Sequence, residues 1–274
     1  MMTVPDHSVL VDLLEQQFAA LDDLASTLSA ADWHRNSGLP GWSVLDIYAH
    51  VIGSERMLEG CLPPAMSTDL RTMAHVRNQR GAFNEAWVEA LGELGPAAMM
   101  EAYAEIVKSR LDSVAALSPT EFESERPGPT GNVPYWRLLQ LRVFDLWMHE
   151  QDIRESLGRP GNERGRCAEA AVDEVERALP QLVGERAAAA PGSTVTILLT
   201  GPVFRAMHVA VDPEAELVEA LDGPPTIRIS LSSSLLMRLA GGRTGALADR
   251  LGSLDFEGDL DLAQRIVGNL TLTD

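Results

Sequence analysis

Asp145 and His149 stand four residues apart in the stretch LRVFDLWMHEQDIRESLG, residues 141 to 158. On a helix both side chains leave one face a turn apart, with about 5–6 Å between Cβ atoms. A divalent cation can be gripped by such a pair. At about 100° per residue, Arg142, Asp145, His149, Asp152 and Ser156 fall in one stripe, flanked by Leu141 and Met148 on one side and Leu146 and Ile153 on the other. Glu150, Gln151, Arg154 and Glu155 form a second polar sector roughly opposite. One helix seldom needs two solvated faces. The stripe reads either as a surface rim or as a polar site inside a bundle, and the second reading has the sharper consequence.

Two ligands hold a metal poorly, so a third must come from another segment. The chain has six histidines. His7 and His34 fall near helix boundaries, and His208 alternates on a strand. His50 lies mid-helix in DIYAHVIGSE, in the second turn after a start signal. His50, Asp145 and His149 together offer two imidazoles and a carboxylate. That set leaves coordination positions open for water or substrate, as catalytic zinc requires, and it suits ferrous iron equally.

These residues need helices to carry them, and the first 157 residues read as helices with short connections. HSVLVDLLEQQFAALDDLASTLSAADW places apolar residues at i, i+3, i+4 and i+7. In GWSVLDIYAHVIGSERMLEGCL, Ser43 and Asp46 form a capping box, which accounts for Asp46 without giving it chemistry. A third helix is expected from about Thr68 to Leu94. A fourth runs from Pro96, suited to a first-turn position, to about Leu117. ERPGPTGNVP reads as a loop before the helix that carries Asp145 and His149. Long helices with short connections and one longer crossover indicate a four-helix bundle. GRPGNERG marks a boundary, and residues 159–274 change texture. A helix near Cys167 to Arg186 leads into the paired strands TVTILLTG and RAMHVAVDP. TIRISL runs straight into the helix SSSLLMRLAGGR, LDFEG is a short strand, and DLDLAQRIVGNL is a capped helix. The expected fold class is a helical bundle followed by a small α+β domain.

Composition sets limits on partners. The 274 residues carry a net charge of −18, which speaks against nucleic acid and anionic membrane, since both need basic patches. At 45% hydrophobic residues the chain can bury a real core. No stretch reaches about 18 uninterrupted apolar residues, and the acidic N-terminal stretch lacks the pattern of a signal peptide. A cytoplasmic protein, monomer or homodimer, is expected. Cys61 and Cys167 form no CxxC pair and read as small buried or half-buried hydrophobes.

GWSVLDIYAHVIGSE, followed about 90 residues later by LRVFDLWMHEQDI, resembles the DinB-like mycothiol-dependent maleylpyruvate isomerase family. GRTGALADRLGSLDFEGDLDLAQRIVGNL resembles the end of that family's second domain, so the resemblance spans essentially the whole chain. It implies a DinB-like four-helix bundle followed by a sterol-carrier-like α+β domain. It also implies a divalent metal, usually zinc, held by His50, Asp145 and His149. The family more often carries glutamate at the acid position, one methylene longer than Asp145. Its members use mycothiol as thiol cosubstrate, and close relatives are thiol S-transferases. The implied reaction is attack of a metal-bound mycothiol thiolate on a small electrophile. The alternative from another class is a non-enzymatic metal- or small-ligand-binding protein. Arg80, in RNQRGAFNE, matches a substrate-anion arginine of the isomerases; a helix-surface arginine is its plainer reading. Asp152, one turn past His149, is set to accept the second imidazole N–H or to form a surface salt bridge with Arg142. The strand arginines Arg205 and Arg228 are candidates to reach an anionic thiol or substrate, or else are solvated strand charges. Trp42, Trp136 and Trp147 read as core and pocket walls, and GGRTG at 241–245 as a helix end and turn.

Overall fold

The computed structural model describes residues 4–66, 69, 73–128, 131–243 and 251–272. The chain divides into two compact units, Met1–Gly161 and Asn162–Asp274.

The first unit is built on helix α1 (His7–Ser26), the short α2 (Ala30–Trp33), α3 (Val44–Leu58), α4 (Gln79–Gly92), α5 (Pro96–Ala115), the short α6 (Pro119–Phe122) and α7 (Tyr135–Leu157). Helices α1, α3, α5 and α7 form the four-helix ring: α1 packs on α5 and α7, and α3 packs on the same two, while α4 lies against α3. Leu10, Leu13, Leu14, Phe18, Leu21 and Leu24 supply the buried stripe of α1. The phenols of Tyr48 and Tyr103 donate to the Leu21 and Phe18 carbonyls, which ties α3 and α5 to α1. Both phenols are pushed above the usual tyrosine range by burial. The capping box at the head of α3 is present, Ser43 and Asp46 each bonding the other's backbone N–H. Gly158 ends α7 in the left-handed region at φ 64°.

Two expectations need correction. The third helix starts at Gln79 rather than near Thr68, because the Asn78 side chain caps it by accepting the Gly81 N–H; Thr68 itself lies outside the described residues. ERPGPTGNVP is a two-stranded hairpin, β1 (Glu125–Gly128) against β2 (Gly131–Pro134), with Arg126 opposite Val133. Both strands of such a hairpin are edges, where Pro127 and Pro134 are tolerated. Gly53 permits the close approach of α4 to α3, since a Cβ there would lie 2.3 Å from Cγ of Trp87. Gly53→Ala is therefore expected to destabilise the protein by about 1–3 kcal/mol, against the modest gain that alanine normally brings to a helix. Urea denaturation checks this, and a stabilised variant would contradict the contact.

The second unit joins α8 (Arg166–Gln181), continued by a π turn Leu182–Arg186, to a five-stranded sheet. Its strands are β3 (Thr194–Thr200), β4 (Arg205–Val211), β5 (Ala215–Val218), β6 (Ile227–Ser232) and β7 (Asp255–Gly258), in the order β5-β4-β3-β6-β7. Only the β3–β6 pairing is parallel. Val195, Ile197, Leu199, Met207, Val209, Ile227, Ile229 and Leu231 alternate along the central strands and are buried. Helices α8, α9 (Ser233–Ala240) and α10 (Leu260–Gly268) pack on these strands. The strand β5 has no counterpart among the strands expected from the sequence. In GGRTG, Gly241 caps α9 as expected, and Thr244 and Gly245 lie outside the described residues. No helix among the described residues is long and apolar enough to cross a membrane.

Candidate metal centre

Helix α3 delivers His50 and helix α7 delivers Asp145 and His149 to one place. The Nε2 atom of His50 is 3.6 Å from Oδ2 of Asp145, and Nε2 of His149 is 3.6 Å from Oδ1 of the same carboxylate. The two imidazoles meet edge to face, centroids 4.7 Å apart. All three ligand atoms lie within 4.8 Å of one another, and theirs is the one such group among the described residues. Ligands bonded at about 2.0–2.2 Å to a single tetrahedral ion sit about 3.4 Å from each other, so this spacing suits a small divalent cation. Both histidines are buried, while Asp145 is 37% exposed and keeps the group accessible.

Protonation favours ligation as well. Burial lowers the His50 pKa, outweighing the opposing pull of the Asp145 carboxylate, which favours the neutral form of the ring that a metal binds. Burial works against ionisation of Asp145, but the charges of His149 and Arg142 and the nearby His50 ring prevail, and its carboxyl is held well below the usual range.

The surroundings extend the group in three directions. Asp152, buried, brings Oδ2 to 3.4 Å from Nδ1 of His149. Arg142, 9% exposed, donates from Nη1 to Oδ2 of Asp145 at 2.5 Å and from Nε to Oε1 of Glu55 at 2.8 Å. Glu55, 1% exposed, accepts at its other oxygen from Nε of Arg110 at 3.0 Å, and Arg110 also donates to the Tyr135 hydroxyl. On the third side the Trp42 ring lies 5.1 Å from His50 and 6.3 Å from His149. Its indole N–H donates to Glu85 at 2.5 Å, and Glu85 is also bonded to His75. Trp42 thus walls the imidazoles, in line with its sequence reading.

The stripe on α7 is therefore interior, not a rim. The opposite sector is not simply solvated either: Glu150 is fully buried, bonded to Gln17 of α1 and to Arg154. Sequence reasoning missed Glu55, Arg110 and Glu85. Glu55 lies five residues past His50 on α3, and a charge inside that apolar helix was the available signal.

Other candidates are placed elsewhere. Arg80 is exposed in the first turn of α4 and has no bond to the cluster. In the second unit Arg205 is bonded to Asp173 and Glu176 of α8, and Arg228 to Glu257 of the neighbouring strand. His208 bonds Thr196 and His7 bonds the Val114 carbonyl. Cys167 is buried, whereas Cys61 is exposed just past the end of α3, contrary to the expectation of burial.

The sequence model of the mycothiol maleylpyruvate isomerase N-terminal domain matches residues 14–154, over half the chain, and that of the same family's C-terminal domain matches 169–265. The chain belongs to the mycothiol maleylpyruvate isomerase family. Its members' namesake is an enzyme, and the crystal structure of the mycothiol-dependent maleylpyruvate isomerase aligns with a TM-score of 0.55 at 18% identity, covering 89% of this chain and 92% of that one. A histidine-to-alanine variant of that isomerase aligns with a TM-score of 0.54 at 17% identity over the same shares. At such identities the likeness bears on the fold alone: a bundle followed by an α+β domain. A sterol carrier protein from Yarrowia lipolytica aligns with only 39% of the chain, at 15% identity and a TM-score of 0.29. No curated protein matches the chain in sequence.

Proposed function

We propose that this family member is a divalent-metal-dependent enzyme, zinc being the expected ion, that directs the thiolate of mycothiol onto a small electrophilic substrate as an isomerase or S-transferase. The observation that carries this reading is the convergence of two imidazole Nε2 atoms on one carboxylate, 3.6 Å from each. A divalent ion bound there supplies the positive charge that lowers a thiol's pKa and fixes its sulfur. The chain's residues do the rest. His50 and His149 offer imidazole nitrogens and Asp145 an anionic oxygen, a set of three that leaves a position for the incoming sulfur. Asp152 orients His149 through Nδ1 and holds its tautomer. Trp42, anchored by Glu85, limits water on the imidazole side and keeps the local dielectric low, where a thiolate is less hydrated and more reactive.

An anionic substrate or thiol needs cations beyond the metal. Arg80 is proposed for a substrate carboxylate, since its side chain is exposed and uncommitted to the cluster. Of the strand arginines, Arg228 is the more available to an anionic ligand. Its partner Glu257 is 64% exposed, and solvent-screened pairs of this kind contribute little and exchange readily.

The test is metal analysis of the purified protein combined with mycothiol consumption on maleylpyruvate and a panel of generic electrophiles. Turnover that needs both the bound ion and mycothiol is expected. A metal-loaded protein that turns over nothing would instead identify a metal- or ligand-binding protein. Neither cysteine is expected to be the nucleophile: a Cys61→Ser, Cys167→Ser double variant should keep kcat/KM within about threefold, the margin that one buried packing change allows. Loss of turnover at normal metal content would move the chemistry onto a protein thiol.

A further inference from the structure

Burying ion pairs costs more in desolvation than their attraction usually returns, so two interior arginines beside one glutamate call for a reason other than stability. Arg110 of α5, Glu55 of α3 and Arg142 of α7 are 4%, 1% and 9% exposed and form an unbroken chain of charge-assisted hydrogen bonds. The chain leads to one atom. Nη1 of Arg142 donates to Oδ2 of Asp145, the most exposed of the three candidate ligands. Left alone, such a carboxylate is free to rotate toward water. Bonded on Oδ2, it keeps Oδ1 turned to His149 and Oδ2 beside His50. The planar guanidinium suits this task, since Nε faces Glu55 while Nη1 faces Asp145.

We propose that Arg142 is a positioning residue that locks the Asp145 carboxylate in its metal-binding orientation, and that Glu55, itself clamped by Arg110, aims the Arg142 fork. This rests on the reading of His50, Asp145 and His149 as the metal ligands. Arg142 acts through Asp145 and is not placed to bind the ion itself, being a cation. Removing it deletes a repulsive charge near the metal but also deletes the lock, and the lock dominates. Partners of ligating groups typically set 10–100-fold in metal affinity.

The test is a double-mutant cycle read by cobalt(II) binding to the full chain, with affinity and the visible d–d spectrum as readouts. Arg142→Met leaves Glu55 and Arg110 as a balanced pair and is expected to weaken cobalt binding at least tenfold, with an altered d–d band. In an Asp145→Ala background the same change should cost less than twofold, because the residue it acts through is gone. Arg142→Lys keeps the charge but not the fork, and should bind as weakly as Arg142→Met; it replaces that variant in the cycle if Arg142→Met does not fold. Equal losses with and without Asp145 would overturn the proposal and make Arg142 a general support of the bundle. Wild-type affinity in Arg142→Lys would overturn it too, assigning the effect to charge. Absence of cobalt binding by the wild-type chain, or full binding by His50→Ala, would instead overturn the underlying metal assignment.

Discussion

Replacing His149 or His50 by Ala is expected to weaken divalent-ion binding about a hundredfold or more and to abolish thiol-dependent turnover. Structural zinc sites bind with about 10–16 kcal/mol shared among four ligands, so one imidazole in a set of three accounts for several kcal/mol. The two histidines sit on different helices, α3 and α7, so equal losses from both would place the ion between those helices. Neither change should unfold the bundle, because each ring lies at a polar group rather than among the apolar core side chains. Competition with a chromogenic chelator measures the affinities, and circular dichroism confirms folding. Full metal occupancy in both variants would put the ion elsewhere in the chain.

Glu55→Ala is expected to be the most damaging substitution for stability in the first unit, at about 3–5 kcal/mol, because it strands two buried guanidinium groups without their shared anion. For a unit of this size that corresponds to a fall in Tm of about 10–15 °C. Glu55→Gln, which keeps the shape and some hydrogen bonds but not the charge, should recover only part of the loss. Thermal denaturation monitored by circular dichroism decides it. Variants within about 1 kcal/mol of wild type would mean that Arg110 and Arg142 find other acceptors.

The three residues of the candidate metal centre were legible because their information is mostly local. Asp145 and His149 share a helix face by their spacing, and His50 follows a capping box that fixes the register of α3. The secondary elements with strong local signals, such as the capped helices α3 and α10 and the alternating strands β3, β4 and β6, were legible for the same reason. The hairpin 125–134 was not, because its residues carry turn chemistry and only their mutual pairing makes them strands. Helix α4 was drawn too long because a capping asparagine outweighs the weak periodicity of the residues before it. Arg142 was visible in the polar stripe, but its partner Glu55 is 87 residues away. No spacing rule couples positions so distant, and the same holds for the Trp42–Glu85 bond across 43 residues.

His50, Asp145 and His149 are proposed to hold a metal ion at which the sulfur of mycothiol would bind. X-ray absorption at the metal edge of the zinc-loaded protein, recorded before and after addition of mycothiol, tests it most directly. Before addition the first shell should contain only nitrogen and oxygen scatterers at about 2.0–2.2 Å, and afterwards one sulfur at about 2.3 Å. A first shell that stays free of sulfur at saturating mycothiol would contradict the claim.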